Sequence, residues 1–240
     1  MKVKANILKD FVRKASLNGA LMIINLNFTD EGLKSAVRDP GNVAMTMTSL
    51  GKDAFVEYEP IGEIFVKNTP SFIKYLKSFN DIIEIEKVED FIIRLFDDRR
   101  QIYVILASES VCKEIIYRGD MPKIETSANI IFDSREIQRT ISDLDVLKIN
   151  HVDIKKEEDV FSFEVGVKGE SDFFINTVPF DPLKSKGTGS VTVGPMFVSL
   201  FNALDTVVEF RIGAGVPLIS IEKEGSMEFI CIIAPIVMKE

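Results

Sequence analysis

Four short stretches with helical spacing begin at Leu8, Pro70, Asp133 and Pro195, so their starts lie 62, 63 and 62 residues apart. Four unrelated helices would rarely keep such a period, and a fixed repeat of this length marks a chain built by reusing one supersecondary unit. The stretches cover 8–18, 70–79, 133–145 and 195–204, about three turns each. Between them lie short β-branched or aromatic runs at 3–7, 23–28, 82–85, 91–95 and 102–106, each long enough for one strand and bounded by charged or turn residues. The third repeat reads most fully, with strands at 127–132, 149–154, 161–167 and 172–178 around its helix. The unit is therefore strand, helix, then three strands. The strand-poor stretch 109–125, which contains Gly119 and Pro122, divides the four units into pairs. The expectation is an α+β protein of two similar domains, 1–108 and 126–240, joined by a connector at 109–125.

Each helix is amphipathic. Leu8, Phe11, Val12 and Ala15 fall at i, i+3, i+4 and i+7, opposite Lys9 and Arg13, with Lys14 one position off the stripe. In the second helix Thr69 suits the cap and Pro70 the first helical position, and Phe72, Ile73 and Leu76 oppose Lys74 and Lys77. In the third, Asp133 and Glu136 have the spacing of a capping box, and Ile137, Ile141 and Leu144 point away from Arg135 and Arg139. The fourth carries Phe197, Leu200, Phe201 and Leu204 with no basic residue on its outer face. Three of the four free faces are thus basic in a chain whose 37 acidic and 29 basic residues give a net charge of −8. A uniformly basic coat is excluded, but a segregated basic face suits a polyanion held through its phosphates, without sequence readout.

Other classes are disfavoured residue by residue. The apolar run 229–235 is far shorter than the ~18 residues of a membrane span, and the first residues alternate in charge, unlike an export signal. An intracellular protein is expected. Cys112 and Cys231 cannot form a disulfide framework, which suits a reducing compartment, and the single His151 excludes a His-rich metal site. Gly187-Thr188-Gly189-Ser190 follows Lys184 and Lys186 but lacks the order of a phosphate loop and reads as a flexible inter-strand loop. Gly213-Ala214-Gly215 reads as a turn, and Asp97-Asp98 with Arg99-Arg100 as a charged hairpin tip. His151 beside Asp153 lacks a nucleophilic partner. No catalytic residue, metal or cofactor is expected. The rival from another class is an acidic metal-dependent hydrolase or nuclease using Asp97, Asp98 and Asp172.

Two groups of residues add a resemblance. Asp30-Glu31-Gly32-Leu33 is followed by Arg38-Asp39-Pro40-Gly41-Asn42-Val43, and Val216-Pro217-Leu218 is followed by Ile233-Ala234-Pro235-Ile236, while the connector holds Met121-Pro122. With the 62-residue period and the length, these resemble the DNA sliding clamps of the proliferating cell nuclear antigen family, in their archaeal and eukaryotic form. The resemblance implies the clamp fold: two domains of two β-α-β-β-β units, helices on the inner face of a ring and sheets outside, with three subunits closed around duplex DNA. It implies a non-enzymatic processivity factor that tethers DNA polymerase and other replication and repair enzymes through clamp-binding peptides. It also implies opening by an ATP-dependent clamp loader, and assembly as a homotrimer or as a heterotrimer with paralogous subunits. The compartment would be the cytoplasm and nucleoid in an archaeon, or the nucleus in a eukaryote. The DNA-facing set it implies is Lys9, Arg13, Lys14, Lys74, Lys77, Arg135 and Arg139, and the partner-peptide pocket is Val43, Met45, Met121, Pro217, Ala234, Pro235 and Ile236. Arg38 stands where the family often has Met, and Met196 and Ala203 stand where its fourth helix is usually basic. The strands at 102–107 and 172–178 take the places of its exposed sheet edges. A monomeric factor of the same fold is the alternative within this class.

Overall fold

The computed structural model of the chain describes residues 1–167, 169 and 172–236. It divides into two compact units. The first comprises Met1–Gly41, Met45–Arg118 and Glu224–Phe229, and the second comprises Asn42–Ala44, Gly119–Lys223 and Ile230–Glu240.

In chain order the first half runs β1 (Lys2–Lys4), α1 (Ala5–Ala15), β2 (Ile24–Thr29), β3 (Gly32–Arg38), β4 (Ala44–Gly51), β5 (Phe55–Glu57), β6 (Gly62–Val66), α2 (Thr69–Lys77), β7 (Ile82–Glu89), β8 (Ile92–Phe96), β9 (Gln101–Ile105) and α3 (Glu109–Cys112). The second half runs β10 (Ala128–Asp133), a 3₁₀ turn (Ser134–Ile137), α4 (Gln138–Leu147), β11 (Val152–Lys156), β12 (Phe161–Val165), β13 (Phe174–Thr177), β14 (Lys186–Gly187), β15 (Gly189–Val193), α5 (Met196–Phe201), β16 (Val207–Ile212), β17 (Leu218–Glu224) and β18 (Met227–Ile233). Setting aside the short β5, β14 and α3, the order strand, helix, three strands occurs four times, starting at β1, β6, β10 and β15. The repeat read from the sequence is the repeat of the fold.

The first unit has an antiparallel sheet in the order β5-β1-β7-β8-β9 and a second in the order β4-β3-β2-β6. Helices α1 and α2 pack side by side, and the predicted stripes face inward: Leu8, Phe11, Val12, Ala15, Phe72, Ile73 and Leu76 are buried. Gly32 ends the tight β2–β3 turn with φ +139, and a Cβ there would lie 2.2 Å from the Leu50 carbonyl oxygen. Backbone crowding thus accounts for the glycine of the Asp30-Glu31-Gly32-Leu33 motif. The second unit has sheets in the orders β13-β12-β11-β15 and β14-β10-β16-β17. Its core is a relay of rings, Phe161–Phe132–Phe210–Phe201–Phe197, with successive centroids 4.9, 4.9, 5.7 and 4.0 Å apart. Tilted and edge-to-face rings at these distances add to simple area burial.

Several local expectations change. The strand expected at 3–7 stops at Lys4 because α1 already starts at Ala5, without any side-chain cap. Asn68, not Thr69, caps α2, its Oδ1 accepting from the Ser71 N–H at 3.0 Å. The Thr69 hydroxyl is buried and donates to the Leu21 carbonyl at 2.6 Å. The capping box at Asp133 is half made: Asp133 accepts from the Arg135 N–H at 3.0 Å and the chain enters α4 through the 3₁₀ turn. The fourth helix keeps only six residues. The supposed flexible loop at 187–190 is ordered as the junction of β14 and β15, with Gly187 at φ +73 and a Cβ there only 2.1 Å from the Ser127 carbonyl oxygen. Asp97 ties the hairpin tip as expected, its Oδ1 accepting from the N–H groups of Arg99 and Arg100 at 2.8 Å each.

One buried charge governs the turn after α5. Glu222, 2% exposed on β17, accepts through Oε1 from the Asp205 N–H (2.9 Å), the Thr206 N–H (2.7 Å) and the Thr206 hydroxyl (2.8 Å). Hydrogen bonds to an ionised acceptor are the strong ones, and removing it takes the acceptor from three part-buried donors at once. Glu222→Ala is expected to cost about 3 kcal/mol of stability in urea titration, with Glu222→Gln losing less than half of that. A loss below ~1 kcal/mol for the alanine variant would show that the turn holds without its acceptor.

Candidate nucleic-acid face and partner pocket

The basic residues sort by what already holds them. Lys9 and Arg13 share Asp10, at 3.5 and 3.8 Å. Lys74 and Lys77 are exposed on α2 and form no ion pair among the described residues. Arg13, Lys74 and Lys77 sit in the last turns of their helices, where a cation also complements the helix dipole, so basicity alone does not identify a ligand. Lys14 is a correction to the DNA-facing set: it is 2% exposed, with Nζ 5.9 Å from the Phe229 ring centroid. An ammonium so enclosed cannot reach a phosphate. Its position one place off the polar face is the physical reason.

In the second unit Arg135 is turned back on Asp133, with Nε donating at 2.8 and 3.0 Å to the two carboxylate oxygens. That side-chain pairing, helped by the Arg135 N–H, holds the Asp133 carboxyl at about 2. Arg139 is exposed and unpaired among the described residues. The rest of α4 is acidic or neutralised: Asp143 accepts from Asn176 Nδ2 at 2.6 Å and Asp145 lies 3.2 Å from Lys148 Nζ. Helix α5 has no ionisable residue. A groove of about 740 Å³ runs between α4 and α5, lined by Ile141, Leu144, Pro195 and Val198 among others. Of this set, Lys74, Lys77 and Arg139 form no ion pair among the described residues, and Lys9 and Arg13 are engaged with Asp10.

None of the seven pocket residues is fully buried. Val43 and Ile236 are exposed, and Met45, Met121, Pro217, Ala234 and Pro235 are half-buried. Within the second unit the tail is zipped in place. The Ala234 N–H donates to the Val43 carbonyl at 2.8 Å, Pro235 bridges Val193, and the Ile236 N–H donates to the Thr192 carbonyl at 2.8 Å. The Ile236 side chain closes over Gly194, where a Cβ would be 3.2 Å from its Cδ1. Met45 belongs to the first unit, on the half-buried face of β4. Periodicity could not have revealed the seating of the tail on β15, because it joins residues about 40 apart through backbone groups alone.

Among the described residues, β9 and β13 are terminal strands of their sheets. Strand β9 has only β8 beside it and β13 only β12. Tyr103 and Ile105 on β9 are 55% and 61% exposed, and Ile175 on β13 is 57% exposed. A groove of about 260 Å³ lies between α2 and β9, lined by Phe72, Tyr75, Tyr103 and Ile105 with Lys67 at its rim. Exposed apolar side chains on a free edge are a liability unless something covers them. Of the acidic residues in the rival reading, Asp97 is committed to its hairpin, and no group of three or more His, Cys, Asp or Glu able to hold a metal occurs among the described residues. No helix among them is long and apolar enough to cross a membrane.

Four βαβββ modules paired into two similar units make the fold of the ring-forming DNA sliding clamps, an α+β architecture. The particular clamp whose fold it matches is proliferating cell nuclear antigen, PCNA. Archaeal PCNA from A. fulgidus, solved with the C-terminal region of FEN-1 bound, superposes with a TM-score of 0.79 at 20% identity, covering 100% of this chain and 98% of that one. PCNA from Entamoeba histolytica gives 0.79 at 16% identity, with 98% of each chain covered. The PCNA2–PCNA3 complex of Sulfolobus tokodaii gives 0.74 at 19% identity, covering 98% of this chain and 99% of that one. No family description and no curated protein matches at the sequence level. At these identities the likeness is one of fold.

Proposed function

We propose that the chain is a subunit of a DNA sliding clamp, a non-enzymatic ring that encircles duplex DNA and raises the local concentration of the polymerases and repair enzymes it tethers. The observation that carries this reading is the match in fold to PCNA over the whole chain. The exposed cations Lys74, Lys77 and Arg139, with Lys9 and Arg13 beside them, supply the phosphate contacts, and Arg135 adds little because Asp133 already offsets it. Three copies, or this chain with paralogues, close the ring through β9 of one copy and β13 of the next, a head-to-tail pairing that caps both free edges. An ATP-driven loader opens it. The domains are 1–108 and 126–240, with 109–125 as the connector. Loading onto nicked circular DNA tests encirclement: complexes retained on circles and lost on linearisation support the ring. Equal retention on both would favour the monomeric alternative.

The partner site is an apolar pocket of the second unit, drawn from Val43, Met121, Pro217, Ala234, Pro235 and Ile236, while Met45, also in the set implied by the resemblance, belongs to the first unit. A peptide with one aliphatic anchor and adjacent aromatics fits it, and the FEN-1 segment bound to the A. fulgidus clamp is the precedent for a C-terminal ligand. Met121→Ala and Ile236→Ala should each weaken such a peptide by on the order of 1–2 kcal/mol, because a few anchors carry most of a binding energy. Isothermal titration beside thermal melts decides the matter. Truncating a true core residue costs ~2–5 kcal/mol of folding stability, so variants that melt early but still bind would show that these residues are core.

A further inference from the structure

Strands β2 and β3 pair only at one end, over Asn27–Lys34, Phe28–Leu33 and Thr29–Gly32, while β2 continues beside β6 as far as Ile24. Beyond Lys34 the other half of β3 keeps β4 on one side but no longer pairs with β2 on the other, and the connector fills that gap. The Arg38 N–H donates to the Ile115 carbonyl at 2.7 Å, the Tyr117 N–H to the Ala36 carbonyl at 3.0 Å, and Val37 bridges Ile116. Arg38, the residue that departs from the family's Met, donates from Nε to the Glu114 carbonyl at 2.8 Å. Beneath this rung Cys112 and Ile116 pack on Phe65, with Ile23, Ala107 and Ile115 around them.

A ring of side-chain bonds closes at the end of this docked segment. Buried Asn25 accepts the Ala36 N–H through Oδ1 at 2.9 Å and donates from Nδ2 to Glu63 Oε1 at 2.8 Å. The other oxygen of Glu63 accepts from Arg118 Nη2 at 2.8 Å, and the same nitrogen reaches Glu109 at 2.9 Å. Glu63 and Glu109 raise the pKa of Arg118 above its ordinary value, Glu63 by more. Arg118 is also the last residue of its segment in the first unit, and Gly119 opens the second. Arg118 is thus followed at once by the most flexible residue type, and Met121 lies three positions after Arg118.

We infer that Arg118, clasped by Glu63 and Glu109, fixes where the connector leaves the first unit and so sets the affinity of the partner peptide without touching it. The coupling rests on the pocket proposed above; the clasp itself rests only on these contacts. Arg118 is a positioning residue. Its loss lets the stretch through Met121 sample orientations that the bound state must then select against, lowering apparent affinity by the fraction of competent conformers.

The experiment uses the full chain. Amide hydrogen exchange at residues 116–121 and titration of an uncharged synthetic peptide with one aliphatic anchor and two adjacent aromatics are measured for wild type, Arg118→Ala, Glu63→Gln and the double variant. Each single variant should exchange faster there and bind roughly three- to ten-fold more weakly. The melting temperature should not change, and the double variant should be no worse than the weaker single one. Added salt should weaken the wild type toward the variants and leave the variants unaffected. Unchanged exchange would overturn the clasp, and faster exchange with unchanged affinity would overturn its coupling to the pocket. A wild type that binds no peptide while the exchange difference persists would overturn the pocket and the coupling with it, leaving the anchor itself upheld.

Discussion

Ile105→Lys, on the free edge β9, should reduce the assembly to single subunits at micromolar concentration, raising the subunit dissociation constant roughly 100-fold or more. Ile175→Lys on β13 should do the same from the other side. Both residues are more than half exposed in the single chain, so neither change should lower the melting temperature of the monomer, whereas a core isoleucine could not be made charged without unfolding it. Head-to-tail closure makes a sharper demand. An Ile105→Lys chain keeps a sound β13 edge and an Ile175→Lys chain keeps a sound β9 edge, so an equimolar mixture has one productive contact and should stop at a dimer. Light scattering on the two variants and their mixture reads this directly. A symmetric contact, in which β9 pairs with β9, would leave Ile175→Lys assembled and is the outcome that sinks the arrangement. A chain already monomeric before mutation points to paralogous partners, as in the PCNA2–PCNA3 pair of Sulfolobus tokodaii.

The combined change Lys74→Ala, Lys77→Ala and Arg139→Ala should weaken binding of the assembled protein to a short labelled duplex by about 100-fold at low salt, equally for every sequence. The three are exposed and, among the described residues, unpaired, so their charge is available to phosphates. Each contact removed should flatten the dependence of log K on log salt by about 0.9. Arg135→Ala is the internal control: its guanidinium already faces Asp133, and its removal should change little. If Arg135→Ala weakens binding as much as the triple change, the pairing seen in the free chain gives way to DNA, and the division into free and engaged cations fails. If no variant has an effect, the helices do not face the nucleic acid at all.

The sequence was most legible where one helix face is apolar over several turns. The stripes of α1, α2 and α4 and the 62-residue period give the order of elements four times over, because burial of a stripe is dictated by spacing within ten residues. It was least legible where geometry comes from distant backbone. Nothing local marks Ala5 as the start of α1, since no side chain caps it. Thr69 reads as the cap of α2, and only the Leu21 carbonyl, 48 residues away, draws it inward and leaves the cap to Asn68. The free faces carried the basic residues, but not which of them are already spoken for. Asp10, Asp133 and Phe229 decide that, and only the first two are close enough in sequence to have been suspected. The proposed pocket is read from apolar residues at loop, connector and tail positions, while the clasp at Arg118 could not be read in the same way, because Asn25, Glu63 and Arg118 carry no shared motif.

The first unit borrows residues from the far end of the chain. The Gly51 N–H, at the end of β4, donates to the Ser226 carbonyl at 3.0 Å, and Lys14 lies against Phe229. These partners leave the ribosome about 175 and about 215 residues after the groups they complete, so the amino-terminal half cannot finish its own packing while it is being made. During that interval β4 and the buried ammonium of Lys14 wait in water, and nascent chains expose a sheet edge that the finished protein hides. A gene fragment ending after Arg118 should therefore give a product that aggregates. The order of synthesis, more than the stability of the end state, sets how crowded a cell can be before such chains meet one another.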